Sequence, residues 1–191
     1  EYGLTWAMAK LQIKVEDFPV YGSELKVITW PKRKDHFYAY RDLEVYCKDQ
    51  KIATATSSYL MIDLKTRRPV SLIDKYEHLL DQENKHAVEE PPKKIASFQP
   101  MNWMEIKTGL TDLDINNHVN NVKYLDWAQN TQPIEFWAQH VVKEVSVNYF
   151  SELLADEQIS VGFLLNSNEL TVSGSVKDKE KFRVEIKTQV V

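Results

Sequence analysis

The feature that most constrains the fold of this chain is a pattern that occurs twice, once on each side of the charged, proline-containing segment 74–100. In each half, apolar residues at helical spacing precede a series of segments in which apolar and polar residues alternate. Spacings of three and four are typical of a helix, whereas a period of two is typical of a strand with one buried face. The sequence therefore predicts two copies of an α+β unit, each a helix followed by about four antiparallel strands.

In the first half, the predicted helix spans 2–10, and no capping residue precedes it. Strict alternation of apolar and polar residues begins at Leu11. The predicted strands of this half are 11–16, 25–29, 37–46 and 52–64. The segment 74–100 has no long apolar periodicity, so we predict a surface linker with a short helix over 76–82.

In the second half, a predicted strand at 103–108 precedes the helical pattern. Asn116-Asn117 is predicted to cap a helix that ends before Pro133. The apolar stripe of this helix comprises Val119, Val122, Leu125 and Ala128. Four predicted strands follow, at 142–150, 157–165, 169–176 and 182–190.

Two copies of a long helix wrapped by an antiparallel sheet describe a tandem (double) hotdog α+β protein. The predicted domain boundaries are a first half over 1–74, a linker over 75–97 and a second half over 98–191. The strand that precedes the helix in the second half has no counterpart in the first, and the chain begins at Glu1 without a methionine. We therefore expect the first half to be N-terminally incomplete, with its lead strand missing.

Composition argues against several classes of protein. The net charge of −4, from 24 Lys and Arg against 28 Asp and Glu, offers no electrostatic basis for binding nucleic acid. No apolar run approaches the roughly 18 residues of a transmembrane helix, and no signal-peptide pattern is visible. The single cysteine, Cys47, excludes an internal disulfide framework and a cysteine-rich zinc site, and it favours a reducing, cytoplasmic location.

The densest polar cluster lies at 111–121, where Asp114, Asn116 and His118 alternate. In an extended segment these side chains would share one face, directly before a helix whose free N–H groups favour developing negative charge. A carboxylate can orient or deprotonate, an imidazole can transfer a proton, and an amide can stabilise an oxyanion. These groups suit acyl transfer to water, although Asp and Asn are also the residues that cap helices and form turns.

The run from Asp112 to Trp127, DLDINNHVNNVKYLDW, resembles the signature of the acyl-acyl-carrier-protein thioesterases of plants and bacteria. Further segments that resemble this family are Gly3–Trp6, Tyr40–Val45, Ala55–Ile62 and Lys65–Pro69. The resemblance spans residues 3–160 in the family's order. It implies a double hotdog fold, hydrolysis of fatty acyl-acyl carrier protein in fatty acid biosynthesis, and neither cofactor nor metal.

In that family the catalytic groups lie in the second half, and Asp114, Asn116 and His118 match its Asp-x-Asn-x-His motif. Glu152 matches a catalytic glutamate that is often followed by cysteine, but Leu153 follows here and excludes a cysteine nucleophile at that position. The resemblance implies that Asp114 or Glu152 either attacks the thioester carbonyl or activates a water. His118 would orient the base or protonate the leaving thiolate, and Asn116 would hold the carbonyl oxygen.

The resemblance also places the acyl chain in the first half. The candidate substrate-binding residues are Trp6, Met8, Tyr59 and Met61, although each could equally be a core residue. The expected partner, acyl carrier protein, is acidic, so its docking surface should be locally basic. The candidate basic clusters are Lys32-Arg33-Lys34, Lys65 with Arg67-Arg68, and Lys93-Lys94.

The sequence leaves alternative functions and the oligomeric state open. An acyl-CoA thioesterase on the same fold is one alternative, and a non-catalytic acyl-binding hotdog protein is another. The presence of all four candidate catalytic residues argues against the pure binding protein, which needs none of them. A hotdog dehydratase ranks last because the motif is thioesterase-like. A double hotdog contains its own pseudo-dimer, so we expect a monomer or a homodimer.

Overall fold

The computed structural model describes residues 3–72 and 85–191. The chain divides into two compact units, Glu1–Lys93 and Lys94–Val191. The short helix predicted over 76–82 lies outside the described residues, and the exact domain boundaries stay a prediction. Each unit is built mainly of antiparallel strands, as the alternating sequence pattern predicts.

In the described part of the first unit, four antiparallel strands pair in the order β2-β3-β4-β1. Their bounds are β1 (Leu4–Val15), β2 (Leu25–Lys34), β3 (Tyr38–Cys47) and β4 (Gln50–Asp63). The last three of these strands confirm the sequence prediction apart from their exact ends. The central strand β4 has a nearly continuous buried stretch over 54–58, because it has a hydrogen-bonded neighbour on each side.

The helix predicted over 2–10 is wrong, because residues 4–10 form the first part of β1. A β-bulge between Met8 and Lys10 inserts Ala9 into the pairing with β4. Side chains on either side of the bulge, at Met8 and Leu11, therefore face the same way although they are three residues apart. An apolar spacing of three within a bulged strand imitates the spacing of a helix, and this coincidence caused the error.

The second unit contains a five-stranded antiparallel sheet with the order β6-β9-β8-β7-β5 among its described residues. The elements are β5 (Asn102–Lys107), α1 (Lys123–Asn130), α2 (Ile134–Gln139), β6 (His140–Tyr149), β7 (Gln158–Asn166), β8 (Glu169–Val176) and β9 (Lys179–Val190). Pro133 caps α2 and separates it from α1. Within the described ranges, neither helix has the length and apolar character needed to cross a membrane.

The helix of the second half is shorter than predicted and begins later. α1 starts at Lys123 rather than after Asn116, because Asn117 adopts a left-handed conformation with φ of 60° that a helix cannot continue. Asn120 organises the entry to the helix instead, since its Oδ1 accepts the Val122 N–H at 3.0 Å. Asp114, Asn116 and His118 therefore do not lie directly at a helix N-terminus, which corrects the expectation from sequence.

The core of the second unit lies between α1 and the sheet. Side chains of the strands that are 0% exposed are Val147, Ile159, Val161, Leu170, Val172, Phe182 and Val184. The rings of Tyr124 and Trp127 on α1 lie 4.8 and 6.1 Å from the ring of Phe182. These aromatic contacts fix α1 against β9, because large rings bury much apolar surface in a defined geometry.

In the first unit, a lysine and an aspartate form an ion pair that is shielded from solvent. Lys32 Nζ lies 3.5 Å from Asp42 Oδ2, and the two side chains are 1% and 0% exposed. Lys32 also donates to the Val88 carbonyl. Asp42 accepts the Ala87 N–H at 2.7 Å and the Thr56 hydroxyl at 2.5 Å. The buried pair therefore holds the backbone at 87–88 against β2 and β3.

The burial of Lys32 affects the predicted basic cluster Lys32-Arg33-Lys34. Lys32 cannot belong to a docking surface, because its ammonium group is bonded inside the unit. The side chains of Arg33 and Lys34 lie outside the described part of the chain. Lys93 is exposed, but it forms an ion pair with Glu90 and so lowers the pKa of that carboxyl.

We expect the Lys32→Met variant to lose about 3 to 5 kcal/mol of unfolding free energy, because it leaves Asp42 buried without its charged partner. Urea denaturation followed by tryptophan fluorescence measures the loss. The matched control is Lys51→Met, since Lys51 pairs with Glu44 at 3.6 Å while its side chain is 38% exposed. The control should lose less than about 1 kcal/mol, and equal losses would contradict the importance of the buried pair.

Candidate active site

The Asp-x-Asn-x-His segment forms a tight turn rather than an extended segment. A bridge between Leu113 and Val119 closes the turn, and the Asp114 N–H donates to the His118 carbonyl at 2.8 Å. Asp114 Oδ1 accepts the N–H of Asn116 at 2.8 Å and that of His118 at 3.3 Å. The expectation of alternating side chains on one extended face is therefore wrong, because the carboxylate stabilises a bent backbone by bonding to it.

Glu152 lies in the loop that follows β6, and a bulge in β9 holds this loop in place. Lys181 is the residue that the bulge inserts between the pairs of β8 and β9. Its carbonyl accepts the N–H of Phe150 at 2.8 Å and that of Ser151 at 3.3 Å. Its Nζ donates to the Glu152 carbonyl at 3.0 Å. A single bulge residue therefore contacts three successive residues of the loop.

The structure brings His118 and Glu152 together from these two loops. His118 Nε2 lies 3.5 Å from Glu152 Oε2, and the side chains are 34% and 41% exposed. The Val119 N–H donates to the Leu153 carbonyl at 2.8 Å, so a backbone hydrogen bond joins the residues that follow each member of the pair. An imidazole and a carboxylate are therefore held side by side where solvent can reach them.

Leu153 occupies the position at which the sequence resemblance suggests a cysteine. Its side chain is 0% exposed, so it belongs to the core of the second unit. The only cysteine of the sequence, Cys47, ends β3 in the first unit and is half-buried. The titratable side chains that meet in these loops are therefore the imidazole of His118 and the carboxylate of Glu152.

The side-chain amide of Asn116 and the carboxylate of Asp114 differ in their hydrogen bonding within the turn. The Asn116 backbone N–H is bonded to Asp114, so its exposed side-chain amide is the donor available to a ligand. Asp114 Oδ1 accepts two backbone N–H groups, so this carboxylate oxygen is engaged in the turn itself. Among the described residues, no three His, Cys, Asp or Glu side chains are placed to hold a metal ion.

The four candidate substrate-binding residues lie on one face of the sheet in the first unit. Trp6 on β1 pairs with Met61 on β4, and Met8 pairs with Tyr59 two positions along. Residues two apart on a strand and their direct partners share a face. Met61 is buried, while Trp6 is 44% exposed. The structure therefore groups these side chains, and their role in binding stays a prediction.

Tyr124 of α1 is a residue of the site that sequence reasoning missed. It is 3% exposed, and its ring lies 4.8 Å from that of Phe182 in the core beside the site. Burial, together with the carboxylates of Glu152, Glu157 and Asp114, raises the pKa of the phenol, so Tyr124 stays protonated. Tyr124 lies within the run from Asp112 to Trp127 that resembles the family, so the sequence offered a signal. A tyrosine on the apolar side of a helix is, however, usually interpreted as a core residue.

Two family models match the chain. One, described as the acyl-ACP thioesterase N-terminal domain, matches residues 1–80, and the other, the acyl-ACP thioesterase C-terminal domain, matches residues 96–189. A chloroplastic palmitoyl-acyl carrier protein thioesterase from Cuphea hookeriana is 30% identical over 161 residues, which are 78% of this chain and 38% of the relative. A chloroplastic dodecanoyl-[acyl-carrier-protein] hydrolase from Cinnamomum camphora is 29% identical over 166 residues, 80% of this chain and 42% of the relative. The chain thus spans less than half the length of these relatives.

Solved structures share the fold. An acyl-ACP thioesterase from Bacteroides thetaiotaomicron superposes with a TM-score of 0.85 at 25% identity, covering 98% of this chain and 77% of that one. The 12:0-ACP thioesterase from Umbellularia californica superposes with a TM-score of 0.86 at 20% identity, covering 100% and 77%. The predicted tandem hotdog fold class is confirmed, apart from the helix positions corrected above.

We expect Asp114→Ala to lower the free energy of unfolding by about 1 kcal/mol, because two N–H groups of the turn lose their acceptor. Asp114→Asn keeps an oxygen at the same place and should lose less. Urea denaturation measures both, with Asp126→Ala as the control, since Asp126 is a surface carboxylate 3.4 Å from Lys123. Equal losses in the two Asp114 variants would show that charge, rather than the hydrogen bonds, stabilises the turn.

Proposed function

We propose that this chain, which belongs to the acyl-ACP thioesterase family, hydrolyses the thioester of a fatty acyl-acyl carrier protein and releases a free fatty acid. The observation that carries the proposal is the pairing of His118 and Glu152, 3.5 Å apart and accessible to solvent. The relatives, which are thioesterases and hydrolases of acyl-acyl carrier protein, support the substrate class. A protein that only binds acyl chains would need neither group.

In the proposed reaction, Glu152 takes a proton from a water molecule that attacks the thioester carbonyl carbon. The carbon–oxygen bond forms, and negative charge develops on the carbonyl oxygen. The carbon–sulfur bond then breaks, and the proton that Glu152 took from the water passes through His118 to the departing sulfur. The products are a fatty acid and the carrier's thiol, and both side chains return to their starting state. A thiol is a good leaving group because its pKa is about 8.5. The thiolate therefore needs little help from His118 to leave.

Glu152 suits the role of base better than Asp114 does. Asp114 Oδ1 already accepts two N–H groups of its own turn, so this oxygen is engaged in the turn. Glu152 Oε2, in contrast, lies beside an imidazole that can exchange protons with the same water or leaving group. We assign Asp114 to the shape of the turn and Asn116, through its side-chain amide, to the developing oxyanion.

The first unit would hold the acyl chain and contribute to docking of the carrier. Trp6, Met8, Tyr59 and Met61 form a group of aromatic and thioether side chains suited to an alkyl chain. The turn at 65–68 after β4 is exposed and contains one lysine and two arginines. A basic turn of this kind attracts an acidic carrier protein, as electrostatic complementarity requires.

A comparison of two substrate series tests the proposed activity. We expect release of fatty acid from acyl-acyl carrier proteins with a kcat/KM at least about tenfold higher than from the matching acyl-CoA thioesters, because only the carrier offers an acidic surface. Released fatty acids of different chain lengths are measured by mass spectrometry. Equal or faster hydrolysis of acyl-CoA would favour the CoA thioesterase, and release from neither substrate would leave only an acyl-binding role.

We expect Glu152→Gln and His118→Ala each to lower kcat by about 100-fold or more, because each removes a proton-transfer group. The double variant should be no slower than the slower single variant, since residues that act as a unit are not additive. The control is Asp156→Asn, a nearby carboxylate that pairs with Lys107 at 3.0 Å on the surface and should keep its activity. Additive losses would contradict the pairing.

A further inference from the structure

We propose that Thr108 is a positioning residue for the hydrolysis, because its buried hydroxyl holds the end of the loop that presents Glu152 to His118. The proposal rests on the proposed function, in which Glu152 and His118 transfer protons. It extends that function to a side chain outside the proton-transfer pair. Three observations support it: the burial of Thr108, its hydrogen bonds to the turn 154–157, and the connection of this turn to Glu152.

Thr108 is anchored at the end of β5. It directly follows Lys107, which pairs with Gln158 on β7. Its N–H donates to the Glu157 carbonyl at 3.0 Å, so the ladder of hydrogen bonds continues one residue beyond the strand. Thr108 is 1% exposed, and a β-branched side chain has little rotational freedom. The hydroxyl can therefore define the position of the groups that it bonds.

The Thr108 hydroxyl bonds to both ends of the turn 154–157. It donates to the Leu154 carbonyl at 2.7 Å and accepts the Glu157 N–H at 2.9 Å. The Thr108 carbonyl accepts the Asp156 N–H at 3.1 Å. Asp156 has a left-handed backbone with φ of 61°, a conformation that has a cost in any residue other than glycine and needs support from its surroundings. One buried threonine supplies that support through its side chain and its backbone.

The turn is connected to Glu152 through two successive carbonyl groups. The Leu154 carbonyl is bonded to the Thr108 hydroxyl. The Leu153 carbonyl accepts the Val119 N–H at 2.8 Å. Because each peptide group is planar, two bonded carbonyls in a row fix the direction in which the chain leaves Glu152. The Thr108 hydroxyl therefore restrains the position of the carboxylate through the backbone.

Thr108 completes a support that begins on the other side of Glu152. The Lys181 carbonyl accepts the N–H groups of Phe150 and Ser151, which holds the loop before Glu152. The Thr108 hydroxyl holds the loop after it. A backbone carbonyl stays in place when a side chain is replaced, whereas a hydroxyl can be removed. Thr108 is therefore the part of the support that substitution can test.

The test is Thr108→Val, which removes the hydroxyl and keeps the branching of the side chain. We expect kcat to fall roughly 10- to 100-fold with KM unchanged, because a small displacement of a catalytic group has a cost of this size. Thr108→Ser keeps a hydroxyl and should retain kcat within about threefold of the unmodified protein. The same loss in both variants would overturn the proposal.

The matched control is Thr188→Val. Thr188 is 8% exposed, and its hydroxyl donates to the Asn168 carbonyl at 3.1 Å. Its N–H donates to the same carbonyl at 2.8 Å, so it holds the turn between β7 and β8 much as Thr108 holds the turn 154–157. The control should keep the kcat of the unmodified protein, because its turn contains no residue of the candidate site. Equal kcat in Thr108→Val and Thr188→Val would overturn the proposal.

A second arm asks whether Thr108 acts through Glu152. In a Glu152→Gln background, adding Thr108→Val should change kcat by less than about twofold, because the group to be positioned is already gone. Any larger loss in that background would overturn the proposal and indicate a general structural role.

A third arm needs no turnover. Amide hydrogen exchange followed by NMR should show the Glu157 N–H exchanging at least about tenfold faster in Thr108→Val than in Thr188→Val, since only the first variant removes its acceptor. Unchanged exchange would overturn the proposal, whatever the kinetics. If the unmodified protein hydrolyses no thioester, the proposed function fails on its own, and this arm still decides whether Thr108 holds the turn.

A second variant keeps the proposal testable if Thr108→Val does not fold. Glu157 Oε2 accepts the Leu154 N–H at 2.8 Å, so Glu157→Ala loosens the same turn from its other side. We expect kcat of Glu157→Ala to fall in the same direction, by about threefold or more. An unchanged kcat in this variant would overturn the proposal.

Discussion

The candidate site depends on one backbone hydrogen bond, from the Val119 N–H to the Leu153 carbonyl at 2.8 Å. It joins the turn that precedes α1 to the loop that follows β6, two segments more than thirty positions apart in the chain. Because His118 and Glu152 are the preceding residues, this bond places their side chains 3.5 Å apart. Membership of the acyl-ACP thioesterase family suggests which residues matter, whereas this bond explains how they meet.

Two β-bulges matter in this structure, one because it misled the sequence prediction and the other because it positions the loop that contains Glu152. The bulge at Ala9 in β1 changes the phase of the alternation, and it made a strand resemble a helix. The bulge at Lys181 in β9 turns a carbonyl toward the loop at 150–151 and a side chain toward Glu152. In both places one inserted residue re-aims its neighbours, and only the pairing partner on the next strand reveals it.

Buried polar side chains order the segment that the sequence predicts as a linker. In the first unit, Lys32 and Asp42 bond to the backbone at 87–88. In the second unit, Asn148 Oδ1 accepts the Ile95 N–H at 2.8 Å, and Arg183 Nη1 donates to the Ile95 carbonyl at 2.7 Å. Each unit thus uses its own buried side chains to satisfy backbone groups that water cannot reach.

The sequence by itself determined the hotdog fold class, eight of the nine described strands and the family, because alternation and motif chemistry are local properties. It also singled out Asp114, Asn116, His118 and Glu152, whose catalytic roles stay a prediction. It could not determine that 4–10 is a strand, that Asp114 bends its own turn, or that Lys32 is buried. Those features depend on hydrogen bonds and ion pairs between residues distant in the chain, so only the tertiary structure decided them.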